Sequence, residues 1–485
     1  MKLQLVVPKV KERGFLSFRF TVKFVGKKRF YIPLSIPILT SLTPNDVEII
    51  INDENIEEIN YDENPDLVGI TIPMTSVARR AYEIADNFRK KGVKVVLGGI
   101  HPTTLPNEAI LHADCVVLGE AEDVWENLIK DFKKGKMKKF YKSINKPDLK
   151  NRPIPRRDLL KDNQYFLNVI QTNRGCPFNC EFCSVTKFLG NKVRCRDISQ
   201  IIEEIKSFPK NKSIFFVDDN FIGNPKFTKE LLKALIPLNL SRFLCQTTVN
   251  VYKDEKMLRL MKKSNCNRLY IGFESLSEKN LKLMNKNVNK VKEYSKAIKK
   301  IRSFGIDIFA SFIIGNDYDD KKTFKEIINF INKNNIHTVG IFILAPLPGT
   351  KLFERLEKEN RILHKNWDKY DEKNVVFQPK NMSVEDLQEG YVWIYRQIYS
   401  FDSMYKRLMD LWRTGLCRNN DSIKFKHKIL FAIRMLPYLL TLDINKIKYI
   451  LKVIPKLFSK NLSMLYIIQD MDHNNFAFNL KVEKR

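Results

Sequence analysis

Cys176, Cys180 and Cys183 form a Cys-x3-Cys-x2-Cys run in the middle of the chain. Thiolates are soft, charge-donating ligands for iron. A short loop carrying three of them can hold three corners of a 4Fe-4S cube and leave the fourth iron open to a substrate or cofactor. A zinc ribbon would require a second cysteine pair, and none follows. Cys115, Cys195, Cys245, Cys266 and Cys417 are isolated and read as ordinary core or surface thiols.

Such a loop has to be held by regular elements. Val169 to Thr172 is a short β-prone run, and Arg174-Gly175 turns the chain into the cysteines. Five further strand-like runs follow, at Ile214–Val217, Phe243–Thr247, Leu269–Phe273, Ile308–Ile314 and Val339–Leu344, separated by amphipathic helical stretches. This pattern predicts a partial (β/α)6 TIM barrel whose chemistry collects at the carboxyl ends of its strands. Polar residues stand at those ends: Asp218 and Asp219 after the second strand, Gln246 in the third, Glu274 and Ser275 after the fourth, and Ser311 to Gly315 in the fifth.

The cysteine segment, with Phe182 before the last thiol, resembles the signature of the radical S-adenosylmethionine (SAM) enzymes. That resemblance implies a 4Fe-4S cluster on Cys176, Cys180 and Cys183 and SAM on the open iron. It implies an electron donor such as ferredoxin or flavodoxin. The family often carries Gly-Gly-Glu at the end of the second strand for the SAM amino group, where this chain has Asp218 and Asp219. Glu274 and Ser275 match the ribose-contacting position, and Ser311 to Gly315 resembles the strand-five motif near the adenine.

The first third alternates strands and helices. Val47–Ile50, Leu67–Ile72, Val93–Leu97 and Cys115–Leu118 read as strands, and Ala78 to Lys91 has a helical apolar face. A parallel doubly wound sheet follows, with its ligand crevice at the strand ends. Gly98-Gly99 and Gly119-Glu120 lie directly after strands. These segments resemble the cobalamin-binding domain fused to many radical SAM proteins, which implies cobalamin against Gly98, Gly99, Gly119 and Glu120. No Asp-x-His-x-x-Gly motif is present, so no lower axial ligand is assigned, and His101 reads as a turn residue lining the crevice. Phe18, Phe20, Val22 and Phe24 alternate with polar residues and suggest a short hairpin.

The expected organisation is α/β: a Rossmann-like cobalamin-binding domain over 1–140, a linker over 141–165, the barrel over 166–372 and a mainly helical carboxyl-terminal domain over 373–485. Ser383 to Asp386 opens a helix with a serine cap. Farther on, Ile447, Ile450, Leu451, Ile454 and Phe458 form an apolar stripe beside Lys448, Lys452 and Lys456, with Pro455 expected to kink the helix. This basic stretch could lie on an anionic membrane surface or pack on the barrel. The region from Gln378-Pro379-Lys380 to Trp393 resembles the carboxyl-terminal part of the hopanoid methylase group.

The chain carries 84 Lys and Arg against 55 Asp and Glu, a net charge of +29. Such a balance favours anionic partners, but no RNA-binding motif or aromatic stacking pattern supports a nucleic-acid protein with a structural cluster. No apolar signal segment opens the chain, and the best apolar run, Ile429 to Leu440, is broken by Arg434 and Pro437. A cytoplasmic enzyme, at most peripheral to the membrane, is expected. The family resemblance implies methylation of an unactivated carbon on a small-molecule or lipid substrate. A radical cyclase or carbon–carbon bond-forming enzyme is the alternative.

Overall fold

The computed structural model describes residues 1–10, 19–210, 212–416, 443–457 and 464–480, with the single residues 429 and 433. Its first sheet has six parallel strands: β1 (Lys2–Val7), β2 (Glu48–Asp53), β3 (Leu67–Thr71), β4 (Lys94–Gly98), β5 (Cys115–Leu118) and β6 (Phe140–Lys142). They stand in the order β2-β1-β3-β4-β5-β6. The order reverses between β1 and β3, which opens a crevice at their carboxyl ends. Strand β1 is an addition to the sequence reading, which began the sheet at Val47. It runs Lys-Leu-Gln-Leu-Val-Val and is buried from Leu3 onward, the composition of a parallel strand covered on both faces. Strand β6 likewise extends into the segment read as linker. The helix Ala78–Lys90 buries Ala81, Tyr82, Ala85 and Phe88 on the expected face.

The expected hairpin near Phe20 is a helix instead, Arg19–Phe24, while residues 11–18 fall outside the described chain. Thr21 and Val22 are adjacent and both buried, which a hairpin with one solvated face would not give and a helix face does. The helix packs against the last described helix, Met464–Asn479, with Thr21 N and Oγ1 donating to Asp472 at 3.0 and 2.9 Å.

The barrel consists of β7 (Asn168–Ile170), β10 (Ile214–Phe216), β11 (Phe243–Thr247), β12 (Cys266–Glu274), β13 (Asp307–Ile314) and β14 (Thr338–Ile343), all parallel and adjacent in chain order. Two short antiparallel strands, β8 (Asn173–Arg174) and β9 (Arg194–Cys195), flank the cysteine loop. Along the inner face Leu244, Gln246, Gly272, Ser311, Ile313 and Phe342 keep partial exposure beside buried neighbours, which marks an open lumen. Helix Met464–Asn479 seals the opposite end. There Arg268 pairs with Asp307 at 2.9 Å, Tyr466 donates to Asp307 at 3.0 Å, and His337 lies 3.0 Å from Asp470.

Ser383 caps the helix Val384–Ile398 in a reciprocal capping box with Asp386. Helix Ile444–Leu457 continues through Pro455 in its last turn, so the expected kink does not break it. Tyr449, Ile450 and Val453 are buried, and Leu451 is exposed. Lys452 and Lys456 lie over the rings of Tyr405 and Trp412, 5.3 and 4.7 Å from their centroids. The stripe therefore packs on the neighbouring helix Phe401–Thr414. Phe458, Cys417 and most of the Ile429–Leu440 run lie outside the described residues. No helix among the described residues is long and apolar enough to cross a membrane.

Candidate cofactor site

The cysteine loop leaves β7 and is pinned at once. Asp218, fully buried after β10, accepts from the Thr172 and Asn173 N–H groups at 2.6 Å each and from Thr172 Oγ1 at 3.0 Å. Gly175 then adopts φ +92°, and a Cβ there would meet the Lys192 carbonyl oxygen at 2.6 Å, so only glycine passes. Three elements hold the loop from outside. Thr186 Oγ1 donates to Phe178 O at 2.8 Å, Asn285 Nδ2 to Asn179 O at 2.9 Å, and Leu352 N to Glu181 O at 3.1 Å. Arg355 also donates to both Glu181 oxygens, at 2.6 and 3.2 Å. Phe182 is half-buried against the barrel core.

Burial pushes all three thiols up, Cys183 to about 12. Lys286 works against this as a positive charge beside them. Burial would lower its own pKa, but Glu274, 3.1 Å away, and the thiols of Cys180 and Cys183 hold it above the ordinary lysine range. Among the described residues no three His, Cys, Asp or Glu side chains converge as they would on a single metal ion. Three thiols on one short loop, with the Lys286 charge beside them, are the soft donor set that an iron–sulfur cluster held at three corners takes.

Next to the thiols, Asp219 is pushed up to about 6, first by burial, against a backbone hydrogen bond from Gly175 and the Arg174 charge. Its Oδ2 is buried without a hydrogen-bond partner, and so is Asn220 Oδ1. Two orphaned acceptors beside a cysteine loop suit a ligand that brings donors, such as the amino group of SAM. Asp218 itself is raised to about 7 by burial, but its oxygens are committed to the loop backbone.

Glu274 ends β12 at φ +65°, where the register with β13 shifts. Such a conformation is costly for a residue with a side chain and re-aims it. The carboxylate folds back over Gly272, where an added Cβ would lie 2.0 Å from Oε1. Ser275 Oγ accepts from Ser277 N at 3.1 Å and is committed to the turn. Gln246 Nε2 reaches the Asp218 carbonyl at 3.5 Å. Ser311 faces the lumen across from Gly272, its register partner.

In the first sheet the candidates separate. Gly119, at φ +85°, has nothing within 4 Å of an added Cβ and borders open space. Its N–H donates to Thr103 Oγ1 at 2.9 Å. Gly99, at φ +114°, packs on the backbone: a Cβ would meet Ile72 O at 2.5 Å. Gly98 is only loosely approached, by Val117 Cβ at 3.8 Å. His101 is fully buried, 3.3 Å from Thr75 Oγ1 and from Glu108 Oε1, with the Trp367 ring edge-on at 5.7 Å. It sits where the domains meet rather than on the crevice wall. Glu120 is also turned away from the crevice: Arg174 and Arg194 both reach it at 2.7 Å, and Arg174 reaches Glu122 at 2.5 Å.

Gly119→Val is therefore expected to lower cobalamin retention with the iron–sulfur absorbance unchanged, and its stability cost, set by the positive φ without a clash, to be smaller than that of Gly99→Val. Gly99→Val is expected to cost fold stability whether or not cobalamin is present. Corrin absorbance and thermal unfolding of protein purified with hydroxocobalamin distinguish the two effects.

Sequence reasoning missed Lys286, Arg174, Arg194 and Glu372. Arg174 stands two residues before Cys176 and was legible only as part of a turn. Glu372 carries φ +63°, its carbonyl accepts Ile343 N–H at 2.8 Å, and its side chain is exposed.

Three family models match in succession: the B12 binding domain over residues 41–129, the radical SAM superfamily over 170–331 and a domain of unknown function (DUF4070) over 350–453. The chain is 33% identical over 389 residues to bacteriochlorophyllide d C-12(1)-methyltransferase of Chlorobaculum tepidum, covering 78% of this chain and 84% of that protein. It is 30% identical over 369 residues to hopanoid C-2 methylase of Rhodopseudomonas palustris, covering 72% and 68%. The fold matches the radical SAM methyltransferase TsrM of Kitasatospora setae with a TM-score of 0.66 at 14% identity, over 94% of this chain and 98% of that one.

Proposed function

The chain belongs to the cobalamin-binding radical SAM enzymes, and from that premise we propose that it methylates an unactivated carbon of a small-molecule or lipid substrate. The observation that carries the reading is the buried bridge from Glu120 to Arg174, which ties the turn after Gly119 to the strand leading into the cysteine loop. When bound, the cluster with SAM supplies a carbon-radical oxidant and cobalamin supplies a methyl group. The residues do the positioning. Cys176, Cys180 and Cys183 would each hold one iron. The free oxygens of Asp219 and Asn220 would orient the SAM amino group, and Glu274 its ribose, from a backbone that fixes the carboxylate's direction. Gln246, Ser311 and Phe182 would border the adenine and methionine parts. Gly119 leaves room for the corrin, and Leu244, Ile313 and Phe342 give the lumen an apolar lining against which a bound substrate would displace water.

In helix Ile444–Leu457 Lys452 and Lys456 are laid over rings while Lys448 is exposed, so the helix is accounted for by packing on its neighbour and does not carry the lipid reading. A lipid remains a substrate class through the resemblance to hopanoid C-2 methylase alone. The test is anaerobic incubation of the reconstituted enzyme with extracts and SAM labelled in its methyl group. A product heavier by one labelled methyl group supports methylation. A product changed in hydrogen count without the label would transfer the reading to a cyclase.

A further inference from the structure

We infer that Lys286, a positioning residue shared between Glu274 and the three cysteine thiols, relays occupancy at Glu274 to the cluster as a change in reduction potential. The inference rests on the cofactor assignments above and not on the identity of the methyl acceptor. The turn over residues 284–289 carries it. Met284 O accepts Glu181 N–H at 2.9 Å and Asn285 Nδ2 donates to Asn179 O at 2.9 Å, so two successive residues of the turn grip the chain on either side of Cys180. At its other end the turn is fastened to the close of β12. There Asn289, fully buried, donates from Nδ2 to Gly272 O and Phe273 O at 2.9 Å each. Lys286 lies between the two attachments, its N–H donating to Leu281 O at 2.8 Å. Its Nζ meets Glu274 Oε1 at 3.1 Å, with the two side chains only 12% and 9% exposed.

Among the described residues, Lys286 is the cation that acts most on each of Cys176, Cys180 and Cys183. A cube on three thiolates carries a net negative charge that grows on reduction, so a buried ammonium beside it favours the reduced form. Glu274 holds a compensating charge against that same ammonium, and its carboxylate accepts no other hydrogen bond among the described residues. The strained φ of +65° and the turn fixed at Asn289 leave the carboxylate little freedom to swing away from Lys286. Ribose hydroxyls that donate to Glu274 would draw part of its charge from Lys286, and the thiolates would then feel more of the ammonium. The cluster would accept its electron most readily with SAM in place, which limits idle reduction of an empty site.

Spectroelectrochemical titration of the reconstituted holoprotein, with and without SAM, tests the relay, and equilibrium dialysis measures SAM binding separately. In the wild type, saturating SAM is expected to raise the ratio of reduced to oxidised cluster at a fixed potential about tenfold, a shift of about 59 mV for one electron. Lys286→Met should lower that ratio about tenfold without SAM and remove most of the SAM-dependent rise even when SAM is bound. Lys286→Arg, which keeps the charge, should restore most of both. Glu274→Gln should raise the ratio without SAM, and the double variant Glu274→Gln with Lys286→Met, which leaves no unpaired buried charge, should match Lys286→Met. A merely structural role would not give opposite signs for the two partners. A wild-type potential in Lys286→Met would overturn the proposal, as would a full SAM-dependent rise in that variant or a lowered ratio in Glu274→Gln. The expected ratios in an enzyme that yields no methylated product would support the relay and count against the methylation reading alone.

Discussion

Alanine at Cys176, Cys180 or Cys183 is expected to abolish cluster assembly and SAM cleavage, with no 5'-deoxyadenosine above background. Each thiolate would hold a separate iron, and two ligands secure a cube poorly. The apo fold should survive, because the loop is carried by Asp218, Gly175 and the clamps from Thr186, Asn285 and Leu352 rather than by the thiols. Cys266→Ala should retain the cluster, since that thiol is buried in β12 beside Phe243. Iron and sulfide analysis after anaerobic reconstitution checks all four variants. A full complement of four irons in any of the first three would refute the ligand assignment.

Arg174→Ala should be the most damaging change outside the cysteines. It leaves Glu122 and part of Glu120 buried without their cation, and breaking a buried pair from one side costs about 3–5 kcal/mol. Arg174→Lys should recover only a fraction, because an ammonium that meets both carboxylates, as Nη1 does, cannot also replace the Nε donation to Gln171 Oε1 at 2.6 Å. The pH dependence gives a second readout. In the wild type, burial would raise Glu122, but Arg174 outweighs it and holds the carboxyl below its ordinary value of 4.5. That contribution is present above the unfolded pKa and is lost as pH falls through the depressed one. Without Arg174, burial is opposed only by a backbone hydrogen bond and the Arg152 charge, so the folded state binds the proton more tightly than in the wild type, and the Arg174→Ala penalty should shrink as pH falls from 7 to 5. Urea unfolding of apo protein across that range measures both the offset and its decline.

Much of this architecture was legible because it repeats. Barrel strands are short apolar runs ending in polar residues, and the Cys-x3-Cys-x2-Cys spacing leaves few chemical alternatives. What escaped was set by tertiary contact. Strand β1 looks like any apolar amino terminus until β2 and β3 flank it. The alternation around Phe20 fits a strand on paper, but the contact with Asp472 decides for a helix. Gly99 and Gly119 have the same sequence context after a strand, and only the distance to the Ile72 carbonyl separates a packing glycine from one that borders open space. Glu120 and His101 read as crevice residues from their position after strands. Their partners, Arg174, Arg194 and Trp367, come from other domains, and no local pattern announces them. Lys286 has no motif at all.

Thr21 and Asp472 are separated by 451 positions along the chain. During synthesis at about 5–20 residues per second, the amino-terminal helix must wait on the order of 20 to 90 s for its mate. The first sheet can close in that time, but the floor of the barrel remains open until the last helix leaves the ribosome. One late fastening step thus joins two helices that lie far apart in the sequence, and a chain interrupted before Met464 would expose an unsealed barrel floor for chaperones and proteases to recognise.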